Sequence, residues 1–135
     1  MRTIFQDADL ISVYTRAQAI EDGVLIDVTA TAREAGFVLP VAISRAAWAD
    51  CVEWTKETAK RKKTLQDEDG RLWDVVWMAR LAANAAAQSS RANFGLHRVP
   101  VEGKGICPRH TILTLHIGPG DEGRPVCTIT LPNED

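Results

Sequence analysis

Cys107 and His110 stand three residues apart in "CPRH", with His116 and Cys127 further along. Their types could hold a metal or activate a nucleophile. A structural zinc site takes four thiolate or imidazole ligands in a tetrahedron. Cys107 and His110 supply one closely spaced pair, and no second such pair follows. His116 and Cys127 fall on neighbouring runs read below as strands, so the four meet only if the strand register brings them together. The same residues offer a Cys–His nucleophile, which needs a thiolate within reach of an imidazole and a third group to orient it. Neither cysteine sits in a glycine-framed turn of the nucleophile-elbow kind. The simpler reading is inert core thiols and surface imidazoles, with no metal and no cofactor.

Other polar clusters read as solvated turns. Asp67, Glu68 and Asp69 in "DEDG" lack the ligand spacing of a calcium loop. Gly118, Gly120 and Gly123 in "GPGDEG" lack the lysine and following helix of a phosphate loop. The strongest local charge is "KRKK", Lys60, Arg61, Lys62 and Lys63, with Lys56 a turn earlier. It suits a helix C-terminus and equally a phosphate or an acidic partner surface. Trp54 lies beside it and off the apolar stripe, which makes it the candidate exposed anchor. Trp54, Lys56, Lys60, Arg61, Lys62 and Lys63 are therefore the candidate partner-binding residues, and no residue is assigned a catalytic role.

The whole chain of 135 residues has 45% hydrophobic and 25% charged residues, ordinary globular values that fit one domain over 1–135. Sixteen Lys and Arg against 18 Asp and Glu give a net charge of −2, which does not favour nucleic acid as the partner. No apolar run is long enough to span a membrane. Asp7 and Asp9 interrupt the N-terminus where a signal peptide needs an apolar stretch, so a cytoplasmic location is expected. Cys51, Cys107 and Cys127 are odd in number and widely spaced, and read as free, buried thiols.

The elements that position these residues follow from punctuation and period. Residues 1–14 lack periodicity and read as a loosely packed arm. Thr15 with Gln18, and Thr31 with Glu34, have capping-box spacing; Gly23 and Gly36 supply the helix exits. "VLIDV" and "FVLPVAIS" read as strands after these short helices, with Pro40 demoting the second to an edge or a bulge. Ser44 caps a helix expected to run through Lys63 in one piece. A second helix is expected from Arg71 to Ala87, and "DEDG" before it as a tight turn. "ANFGLHRVPV", "RHTILTLHI" and "RPVCTITLP" read as a three-strand meander, with "EGKG" and "GPGDEG" as the turns. The expected class is α+β: an antiparallel sheet with a C-terminal three-strand meander, covered by two longer central helices, with short N-terminal helix–strand units. The second long helix is apolar around most of its circumference, so Trp73 and Trp77 are expected in the core, between the sheet and the preceding helix.

"YTRAQAIEDGVLIDV", "AREAGF", "GRLWDVVWMARLA" and the closing "GPGDEGRPVCTITLPNED" carry a resemblance. The chain resembles the domain of unknown function 6573 family, small proteins carried on bacterial plasmids and other mobile elements. The resemblance implies context and no activity: small proteins of such elements often block host defence by binding a host protein. The leading expectation is thus a non-enzymatic protein-binding module, an inhibitor of a host defence complex of the anti-CRISPR or anti-restriction type. The alternatives are a structural or accessory homo-oligomeric protein of the element, a homodimer through a sheet edge or the Trp-bearing helices, and a small Cys/His-dependent enzyme.

Overall fold

The first elements follow the capping signals closely. The computed structural model describes residues 14–85 and 89–134. Thr15 opens α1 (Arg16–Glu21): its hydroxyl accepts from the Gln18 amide, and the Gln18 side chain accepts from the Thr15 amide. Gly23, at φ 79°, lets the chain leave the helix into β1 (Leu25–Asp27). The expected N-terminal arm lies outside the described residues apart from Tyr14.

α2 (Thr29–Glu34) starts earlier than the Thr31 box predicts, with Val28 at the cap position and no side-chain cap. Thr29 is used differently: its hydroxyl donates to Asp27 Oδ1 at 2.5 Å and accepts from the Val41 amide at 3.1 Å. That pins the helix start to the first residue of β2 (Val41–Ser44).

Pro40 does not make β2 an edge strand. It lies just ahead of the strand, where its missing N–H removes no ladder bond, and its carbonyl accepts from the Cys127 amide at 2.8 Å. β2 is paired on both sides, antiparallel to β1 and parallel to β5 (Pro125–Thr130).

Ser44 caps α3 (Arg45–Cys51) through the Ala47 amide. The helix does not continue to Lys63. It breaks over residues 52–55, and Thr55 caps a separate α4 (Lys56–Lys62). The backbone groups that a continuous helix would satisfy find other partners. The Val52 carbonyl accepts from Arg71 Nε at 3.0 Å, and the Trp54 amide donates to Glu68 Oε2 at 3.1 Å.

Both of those side chains belong to α5 (Glu68–Ala85). "DEDG" is the start of this helix rather than a turn before it: the Asp67 carboxylate accepts from the Gly70 amide at 2.6 Å. The expected last residues, Ala86 and Ala87, lie outside the described residues.

β3 (Arg91–Arg98), β4 (Arg109–Pro119) and β5 form the meander, all antiparallel. The sheet order is β1-β2-β5-β4-β3, so β5, the last strand in the chain, is the middle of the sheet. Val41, Ile43, Leu113, Leu115, Cys127 and Ile129 share one face and form the core with Ala32, Ala47, Val75, Val76 and Ala79 from α2, α3 and α5. Each fully buried branched side chain contributes roughly 1.5–3 kcal/mol. On the other face, Arg16 of α1 donates to Thr128 Oγ1 at 2.6 Å and to the Cys127 carbonyl at 2.7 Å. No helix among the described residues is long and apolar enough to cross a membrane.

Arg71 is a buried charge against this core, 4% exposed. Its guanidinium bonds the Val52 and Val99 carbonyls at 3.0 and 2.9 Å and lies 4.7 Å from the centre of the Trp54 ring. Arg71→Ala is expected to lower stability by about 3 kcal/mol, because it orphans buried carbonyls and uncovers Trp54. Arg71→Lys should recover little of that loss, since an ammonium lacks the planar fork that bonds and stacks at once. Urea unfolding measures both, and an unchanged Arg71→Ala midpoint would refute this role.

Candidate functional site

The face of α5 that meets the sheet is short-chained. Leu72, Val75, Val76 and Ala79 are buried, and their small size lets the helix lie close on the strands. Trp73 and Trp77 flank that stripe and point away from it, 37% and 44% exposed, with Leu81 beside them at 45%. Their rings stack at 5.9 Å between centroids and 17° between planes. The expectation of a core pair is therefore reversed. Asp74, Arg80 and Asn84 occupy the same flank, and Arg80 hydrogen-bonds Asn84 along it. Those interleaved polar residues were the sequence signal that this apolar stripe faces outward.

Trp54 moves the opposite way. It is 8% exposed, roofed by Arg71, and its indole N–H has no acceptor among the described residues. A buried ring held by packing and a cation is not an exposed anchor. The helix break over residues 52–55 turns it inward, and the single-helix reading concealed this.

The basic cluster divides in the same way. Lys62 is 3% exposed, and its ammonium donates to the Glu102 carbonyl at 3.0 Å and to the Gly105 carbonyl. Burial, and then the neighbouring Arg61, pull its pKa below the ordinary lysine value. Arg61 donates to the Gly103 and Val101 carbonyls at 2.6 and 2.8 Å. Both cations thus clamp the loop between β3 and β4. Lys56 and Lys60 on α4, and Lys63 just after it, remain exposed.

The Cys and His residues do not converge. His116 and Cys127 lie on opposite faces of the sheet, since Cys127 pairs with Ile117. His116 Nε2 instead meets Thr130 Oγ1 at 3.1 Å. His110 packs edge-on against His97, ring centroids 5.2 Å apart. Cys107 is exposed, contrary to the buried reading, while Cys51 and Cys127 are buried. Among the described residues no three His, Cys, Asp or Glu side chains form a group able to hold a metal.

Two hollows border the tryptophan pair. One, about 410 Å³, is lined by Leu65, Asp67, Gly70, Trp73 and Asp74 among others. The second, about 290 Å³, lies between Asp74, Trp77 and Met78 of α5 and Gly95, His97 and His110 at the sheet edge. Asp74 belongs to both, and partial burial raises its pKa against the opposing pull of Arg71. The arrangement offers aromatic faces, a carboxylate and a strand edge side by side.

Two measurements check this placement. Trp54→Ala should cost about 3–4 kcal/mol, a buried aromatic truncation, whereas Trp77→Ala should cost less than about 1 kcal/mol. Equal costs in denaturant unfolding would mean the two tryptophans are not divided between interior and surface. At pH 8, iodoacetamide should modify Cys107 in the folded protein and reach Cys51 and Cys127 only on unfolding, as mass spectrometry would read directly. Burial, with Asp50 adding to it, pushes the Cys51 thiol from 9.0 to about 12. Between those values the unfolded thiol ionises while the folded one stays neutral, so this group's contribution falls as pH rises above 9.0.

No curated protein and no solved structure matches this chain. A family match extends over residues 1–135, the full length, and on that basis the chain belongs to DUF6573, a family of unknown function.

Proposed function

We propose that this chain is a non-enzymatic, cytoplasmic protein-binding module of a mobile element, acting by docking onto a host defence complex of CRISPR or restriction type. The observation that carries the binding role is the exposed, stacked Trp73–Trp77 pair on α5. Tryptophan is the side chain most enriched among residues that dominate interface energetics. A folded domain that keeps two of them in water holds apolar area in reserve for a partner. Because the rings already stack on each other and on a rigid helix, they lose little conformational freedom on docking. Leu81 extends the patch, and Asp74, Arg80 and Asn84 give it a polar rim of the kind interfaces use. The mobile-element setting and the choice of a defence complex as partner rest on the kind of small protein this family resembles.

The test is survival of phage or plasmid in cells carrying one defined CRISPR or restriction system. Expression of the wild-type chain should raise survival at least about tenfold. A Trp73→Ala, Trp77→Ala double variant, folded by circular dichroism, should lose that protection. Absence of protection by the wild type across a panel of such systems would overturn the proposal.

A further inference from the structure

β3 ends the sheet, and its outer side has no strand partner among the described residues. The Ile117 amide donates to the Ser90 carbonyl, which sets the alternation: Ala92, Phe94 and Leu96 bond inward to β4. Asn93, Gly95 and His97 therefore point their N–H and C=O groups outward. Arg91, next in that series, has both its amide and its carbonyl engaged by the Ser89 hydroxyl. Natural edges are usually blunted by proline, lysine or a bulge, and residues 92–97 carry no proline or lysine. His110 folds over Gly95, where a Cβ would collide with its ring.

The hollow of about 290 Å³ runs beside that open edge, walled by Trp77, Met78 and Asp74. Side chains of an added strand would alternate, every second one entering the space against α5. Charge selects which. Asp74 and Asp67 make no ion pair among the described residues, and both face the Trp73 hollow. Asp74 lines the hollow beside β3 together with Trp77, and a carboxylate next to an indole suits a cationic side chain, held by charge and by the π system together.

We propose that β3 accepts an extended segment of a partner protein as an added strand, with a lysine or arginine of that segment seated between Trp77 and Asp74. This rests on the docking role of the tryptophan face and names the chemistry of what docks. Backbone bonds to Asn93, Gly95 and His97 supply a sequence-independent hold, and the cation pocket supplies selectivity.

Selecting a random phage-displayed peptide library on the full chain tests it. Enriched peptides should share one lysine or arginine, and the best of them, synthesised, should shift the amide resonances of Asn93, Gly95 and His97. Its affinity should fall at least about tenfold on Asp74→Asn, on Trp77→Ala, and on N-methylation of the peptide backbone opposite β3. Asp74→Asn is isosteric at the surface, so its fold is secure. Failure to enrich any peptide, enrichment without a cation, or indifference to N-methylation overturns the strand-addition proposal. So does a change of the same resonances with concentration of the chain alone, which would make a second copy the occupant. If the peptide fails while the tryptophan double variant still loses protection, the docking role stands and the added strand falls. If the peptide binds as described without any protection in cells, the defence partner falls and the added strand stands.

Discussion

One buried guanidinium decides how the helical layer is assembled. Arg71 reaches from the first turns of α5 to the Val52 carbonyl at the break between α3 and α4, and to the Val99 carbonyl where β3 ends. Three pieces of chain distant in sequence are thereby fixed to one another. A buried cation is costly unless its donors are met and its face is covered, and here carbonyls do the first and Trp54 the second. Because α3 ends where Arg71 needs a free carbonyl, Trp54 falls inward. Because α5 then presents its short side chains to the sheet, Trp73 and Trp77 fall outward.

A second pair of cations, buried Lys62 and exposed Arg61, repeats the principle. Arg61 and Lys62 hold four carbonyls of the loop at 101–105. A loop with two glycines and no regular structure needs such external partners for its backbone. The densest charge in the sequence is thus partly internal scaffolding, and Lys56, Lys60 and Lys63 are the lysines of the cluster left exposed.

The sequence was most legible where a residue's local chemistry determines the backbone alone. The Thr15–Gln18 box, the Ser44 cap, the left-handed glycines at 23 and 36 and the three-strand meander all follow from neighbours within a few residues. It was least legible where two tertiary arrangements satisfy the same local rules. A helix with apolar residues on adjacent stripes can bury either one, and the choice here depends on how closely a sheet elsewhere in the chain is approached. The break at 52–55 has the same origin: no proline or glycine marks it, and the groups that make it tolerable come from Glu68 and Arg71. Pro40 misled for a simpler reason, since one residue of offset separates a disrupted ladder from an intact one. The candidate site was therefore visible as a conspicuous pair of residues but assigned to the wrong side of its helix.

The position of β5 has a bearing on how the protein comes into being. It is the last of the five described strands in sequence, yet it lies between β2 and β4 and joins the N-terminal helix–strand units to the meander. Until about residue 130 has emerged, the two halves have no shared sheet, and β2 and β4 each present an unpaired edge. The five-stranded sheet consequently cannot close before β5 is available, and a chain truncated ahead of β5 lacks the strand that unites its two halves.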